Sequence, residues 1–175
     1  MMAQIRLSGS GGQGVITAAI ILAEAAVREG KEAVQSQSYG PEARGGASKA
    51  EVIISDQPIY HPKVLVPELV LALTQAAADK YSKDLAVGGT LVIDTDLVPN
   101  PPNFPNIISI PITKLAVDKI GKSLFANIVA LGALVKITEL VDFETIKKAV
   151  AQRVPPATID RNMQALQVGY DAVTK

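Results

Sequence analysis

The chain has no cysteine, and that absence excludes disulfides, thiolate-held iron–sulfur clusters, thiolate zinc sites and a cysteine nucleophile. Any redox centre connected with it is expected on another chain. Aromatic side chains make up 4% of the 175 residues and tryptophan is missing, so stacking platforms for nucleic-acid bases are lacking. Neither sign of charge is in excess. The 17 basic residues balance the 17 acidic ones and form no basic run, which leaves no electrostatic footprint for nucleic acid or an anionic membrane. The longest apolar stretch, Val15 to Val27, is rich in alanine and shorter than the roughly 20 residues that a bilayer span needs. No basic region followed by an apolar signal core precedes the first strand, so the expected location is cytoplasmic.

Histidine is reduced to one residue, His61, in Tyr60-His61-Pro62-Lys63. No second ligand or nucleophile stands at recognisable spacing from it, and it reads as a loop or packing histidine.

What remains is a chain that is 48% hydrophobic, enough to bury a core, and 1–175 is expected to form one domain. Strand and helix patterns alternate. This order predicts an α/β fold: a three-layer, Rossmann-like arrangement with a mostly parallel sheet and helices on both faces. Ala3 to Ser8 reads as a strand, Val15 to Glu29 as a helix ended by Gly30, and Lys31 to Gln37 as the second strand. Ser48 to Ser55 alternates, with Ala50, Val52 and Ile54 on one face, and is expected to be antiparallel or near an edge. The continuous runs Leu69 to Leu73 and Leu91 to Ile93 predict central strands, with Gln75 to Leu85 as the helix between them. Pro99, Pro101, Pro102 and Pro105 make an extended connection to a strand at Ile107 to Ile110.

Four helices complete the chain: Thr113 to Ile120, Asn127 to Ile137, Asp142 to Arg153 with Asp142 as N-cap, and Ile159 to Val173 capped by Thr158. Val15 to Val27 and Asn127 to Val135 are too apolar for helices with one wet face. Each is expected to be covered on nearly every side, by other subunits or as an internal helix.

Two segments carry functional information. The first is Leu7-Ser8-Gly9-Ser10-Gly11-Gly12-Gln13-Gly14-Val15, between a strand and a helix, where glycines let backbone N–H groups face a partner at a helix N-terminus. It satisfies G-x-G-x-x-G, but no acidic residue ends the next strand, as ribose recognition requires. Val15 and Ile16 stand where a phosphate loop needs lysine and serine or threonine, so ATP hydrolysis is excluded. A turn that merely permits close packing is the plain alternative.

The second segment, Ser38-Tyr39-Gly40-Pro41-Glu42-Ala43-Arg44-Gly45-Gly46, follows the second strand and is expected to lie beside the first turn at the carboxyl ends of the strands. Arg44 is the best candidate for gripping a carboxylate or phosphate. Asp94 and Asp96 end a central strand but more simply cap the next turn.

Together these two segments resemble the gamma subunit, or domain III, of the thiamine-dependent 2-oxoacid:ferredoxin oxidoreductases. Asn127 to Leu134 and Asn162 to Gly169 are similar to that family as well, so the likeness covers nearly the whole chain. The resemblance implies a complex that oxidatively decarboxylates a 2-oxoacid on thiamine diphosphate with magnesium, passes electrons through iron–sulfur clusters to ferredoxin, and transfers the acyl group to coenzyme A. It implies alpha, beta and delta partner subunits that hold these groups, and no cofactor bound by this chain alone.

Gly9, Ser10, Gly11, Gly12, Gln13, Gly14, Ser38, Tyr39, Gly40, Pro41, Glu42, Arg44, Gly45 and Gly46 are then cofactor-adjacent or subunit-interface residues. No catalytic residue or metal ligand is assigned. The thiamine-binding Gly-Asp-Gly with its downstream asparagines is missing, so the isolated chain is expected to be inactive. Small size without a fused ferredoxin-like segment favours the 2-oxoglutarate type, with pyruvate and branched-chain oxoacids open. The alternative function is an autonomous nucleotide-binding module of Rossmann-like fold.

Overall fold

The computed structural model describes residues 1–38 and 46–174. Its strands are β1 (Met2–Ser10), β2 (Glu32–Gln37), β3 (Ala47–Ser55), β4 (Leu69–Ala72), β5 (Thr90–Asp94) and β6 (Ile107–Ile110). They form a six-stranded sheet in the order β2-β3-β1-β4-β5-β6. The pairs β1–β4, β4–β5 and β5–β6 are parallel, and β3 runs antiparallel to both its neighbours. The sheet is therefore mixed and mostly parallel. β4 and β5, the two continuous apolar runs, lie inside it.

The helices are α1 (Val15–Arg28), α2 (Gln75–Tyr81), α3 (Ile112–Leu115), α4 (Ala126–Thr138), α5 (Phe143–Arg153) and α6 (Ile159–Asp171). One sheet face, through Ile5, Leu7, Val52, Ile54, Leu71 and Val92, shares a core with α1, α4 and α6. The other face, through Val70, Leu91 and Ile93, is covered by Ala77, Ala78 and Tyr81 of α2. Two-residue periodicity explains this sorting, since successive side chains of a strand point to opposite faces.

α4 takes the second of the two expected covers, that of an internal helix. Every residue from Ile128 to Val135 is buried, so its apolar surface is covered from inside this chain and requires no other subunit. Glycines make that burial sterically feasible. A Cβ on Gly132 would lie 2.1 Å from the Leu166 carbonyl oxygen of α6, and one on Gly169 would lie 1.7 Å from the Val129 carbonyl oxygen. The two backbones touch because neither crossing point has a side chain.

Several boundaries depart from the sequence reading. α2 stops at Tyr81 rather than Leu85, because the Ser82 hydroxyl donates to the Ala78 carbonyl and the Arg6 guanidinium donates to the Tyr81 carbonyl. The stretch expected as a helix from Thr113 splits into α3 and a wider turn at Ala116–Ile120, ended by Gly121 at φ 104°. Asp142 and Thr158 occupy N-cap positions, but neither side chain caps its helix. β3, by contrast, is antiparallel as expected and lies near an edge, next to the outer strand β2.

Arg6 crosses from β1 toward α2, where its register partner Glu51 accepts a 2.9 Å hydrogen bond and Asp84 accepts two more. Those bonds from Arg6 hold the Asp84 carboxyl below its ordinary pKa. The unfolded chain therefore takes up this proton first as pH falls. The stabilisation is complete above the ordinary carboxylate value of about 4 and is lost as pH drops through the lower, folded value. Asp84→Asn is expected to lower stability at neutral pH and to flatten its decline below about pH 4, as read by urea denaturation across pH. An acid limb identical to the wild type's would contradict this.

Candidate functional site

β1 ends at Ser10, and the chain turns through Gly11 to Gly14 before α1 begins. The turn uses left-handed backbone at Gly12, φ 88°, and at Gly14, φ 77°, where an L side chain is strained. Gln13 closes it. Its Oε1 accepts from the Ser10 amide at 2.6 Å, while its own amide donates to the Ser10 carbonyl at 3.3 Å. A Cβ on Gly9 would fall 2.4 Å from that same Oε1, so Gly9 makes room for the clasp.

The end of the β2–β3 hairpin sits beside this turn. Gly9 and Ser10 pair in register with Ser48 and Ala47, and the Gly11 amide donates to the Gly46 carbonyl at 3.3 Å. Ser38, which follows β2, lines a cavity of about 370 Å³ with Ser48, Ser10, Gly11, Gly12, Gly14, Val15 and Ile16. Its hydroxyl oxygen is buried without a hydrogen-bond partner among the described residues. The structure thus brings Gly9 to Gly14, Ser38 and Gly46 together. Tyr39, Gly40, Pro41, Glu42, Arg44 and Gly45 lie outside the described residues.

The opposite flank of the turn holds a second cavity of about 330 Å³, between Gly12 and Gln13 and the residues Thr113, Ser123, Leu124 and Ala126. Leu124 is 73% exposed. Sequence reasoning did not place these residues at the turn. It also did not assign a site role to Asn127, whose Nδ2 donates to the Gly14 carbonyl at 3.2 Å. The available signal was an asparagine opening an otherwise apolar helix.

Chemically, the two cavities offer hydroxyls, peptide groups and aliphatic surface. Among the described residues neither is lined by a charged side chain. No three histidine, aspartate or glutamate side chains converge on a metal position among those residues either. With no cysteine in the sequence, thiolate donors for an iron–sulfur cluster are missing. Asp94 is fully buried, and its oxygens accept from the Asp96 amide and from the Thr113 amide and hydroxyl. It fixes the start of α3. His61 is exposed, its ring facing the Lys63 carbonyl at 3.4 Å. A groove of about 550 Å³ between α1, α5 and β2 is lined by Ile20, Ala23, Val27 and Ala33, with Glu24 paired to Arg153 at 2.9 Å. It lies apart from the glycine turn.

Residues 4–172 match the pyruvate ferredoxin/flavodoxin oxidoreductase family. The chain belongs to this family. It is similar to 2-oxoglutarate synthase subunit KorC of Methanocaldococcus jannaschii, at 48% identity over 98% of this chain and 94% of that one. Pyruvate synthase subunit PorC of Methanothermobacter marburgensis is 32% identical over 97% of each chain. The crystal structure of the keto/oxoacid ferredoxin oxidoreductase gamma subunit from Geobacter sulfurreducens superposes with a TM-score of 0.88, at 50% identity over 97% of each chain. No helix of the described residues is long and apolar enough to cross a membrane.

The two left-handed glycines of the turn should differ in tolerance. An alanine Cβ at Gly12 meets nothing within 4 Å, whereas at Gly14 it would fall 2.5 Å from Asn127 Nδ2. Gly12→Ala is expected to cost about 1 kcal/mol of backbone strain, and Gly14→Ala about 2–4 kcal/mol because overpacking adds to the strain. Chemical denaturation of the two variants measures the difference, and equal losses would contradict the packing argument.

Proposed function

We propose that this chain is the gamma subunit of a multisubunit 2-oxoacid:ferredoxin oxidoreductase acting on 2-oxoglutarate. The observation that carries the reading is 48% identity to a 2-oxoglutarate synthase subunit across nearly all of both chains, against 32% to a pyruvate synthase subunit. In this reading residues 1–175 act as one gamma-type domain. Alpha, beta and delta subunits hold thiamine diphosphate, magnesium and the iron–sulfur clusters, and electrons leave to ferredoxin. Cytoplasmic location follows from that partnership.

Within the complex, the glycine turn and the end of the β2–β3 hairpin form the surface that meets the thiamine-carrying subunits near coenzyme A. Three features support this role: paired loops at the carboxyl end of β1, walls free of described charged side chains, and no nucleophile–base pair in the described lining. The described walls can be covered without stranding a charge.

Reconstitution with the partner subunits tests both claims. The complex is expected to reduce ferredoxin with 2-oxoglutarate and coenzyme A, and much more slowly with pyruvate or a branched-chain oxoacid. Gly12→Asn adds a side chain that tolerates left-handed backbone and points into open space, so the subunit should fold while assembly weakens by about tenfold or more. Preference for pyruvate would overturn the substrate assignment. Unchanged assembly by Gly12→Asn would overturn the docking assignment.

A further inference from the structure

We infer that Asn127 is a positioning residue: it sets the glycine turn against the internal helix α4 and thereby fixes both loops for contact with the partner subunits. The inference rests on the docking role given above to the turn. Asn127 stands in the first turn of α4, where its Oδ1 accepts from the Ile128 amide at 3.0 Å. Its Nδ2 reaches the Gly14 carbonyl at 3.2 Å, and that carbonyl also accepts the Ala18 amide, the first hydrogen bond of α1. One carboxamide therefore joins the starts of two helices whose residues are 113 apart in sequence.

Both ends of this link are constrained. On the α4 side, Gly132 and Gly169 bring α4 and α6 into backbone contact, so the helix that carries Asn127 cannot slide or roll without a clash. On the turn side, the space where Gly14 would carry a Cβ is filled by Asn127 itself, 2.5 Å from Nδ2. From Gly14 the connection continues through Gln13, clasped to Ser10, and through the Gly11 amide to the Gly46 carbonyl of the hairpin. A shift at Asn127 is transmitted to the glycine turn and to Gly46 at the start of β3.

A carboxamide meets both demands with two different atoms, Oδ1 and Nδ2. The side chain must accept from one backbone N–H and donate to one backbone carbonyl. Aspartate keeps the acceptor for Ile128 and suits a helix N-terminus, but it sets a carboxylate oxygen against the Gly14 carbonyl. Asn127→Asp thus separates the contact with the Ile128 amide from the tie to the turn with almost no change in size.

The test pairs Asn127→Asp with Gly12→Asn in the reconstituted complex, reading the melting temperature of the free subunit, the affinity for the partner subunits and the oxoacid-dependent rate. Asn127→Asp is expected to melt within about 3 °C of the wild type while partner affinity falls about tenfold. The turnover of fully assembled complex at saturating subunit should stay within about twofold, since the residue touches no reacting group. If Asn127→Asp melts more than about 5 °C lower, Asn127→Ser, which keeps a small polar group at the helix start, takes its place. Wild-type affinity from the folded variant, beside a weakened Gly12→Asn, overturns the positioning role and leaves the docking role intact. Wild-type affinity from Gly12→Asn removes the docking role, and the positioning role with it.

Discussion

The contact on which the rest of this structure depends is the crossing of α4 and α6 at Gly132 and Gly169. Two backbones meet where any side chain would collide with a carbonyl oxygen, and that proximity lets a helix with no charged residue from Ala126 to Val135 lie wholly inside the chain. Burying Ile128, Val129, Leu131, Leu134 and Val135 joins the sheet core to the outer helices. At about 25 cal/mol per Å² of apolar surface removed from water, burying these side chains contributes to the hydrophobic stabilisation of the fold.

From that buried helix the organisation proceeds outward. α4 presents Asn127 at its first turn, Asn127 holds Gly14, and the glycine turn ends β1 at the position where the sheet changes from parallel pairing with β4 to antiparallel pairing with β3. Crevices at the carboxyl ends of strands near such a change are where open α/β sheets meet their ligands and partners. The residues assembled there provide shape and peptide groups. Thiolate chemistry has no donor in this chain, which lacks cysteine.

Local patterns made much of this legible. The continuous apolar runs at β4 and β5 and the alternation in β3 are periodic signals that need no tertiary information, as is Gly30 ending α1 at φ 79°. The meeting of the glycine turn with the hairpin followed from sheet logic. What escaped was set by distant residues. α2 ends early because Arg6, far away in sequence, takes the Tyr81 carbonyl. The apolar excess of α4 announced that the helix is covered but not by what, because only the pairing of Gly132 with α6 decides that. An asparagine at the start of an apolar helix marked Asn127 as unusual but not its bond to Gly14, because the hydrophobic pattern that marks a helix says nothing about which partner a polar side chain at its start reaches across the fold.

The most direct measurement of the central claim is hydrogen exchange of the subunit alone and within the assembled oxidoreductase. The account predicts that backbone amides from Gly11 to Ile16 and around Ser48 gain protection on assembly, while those inside α4 are already slow in the free subunit. Protection confined to the groove between α1, α5 and β2, with the glycine turn exchanging as fast in the complex as alone, would contradict it.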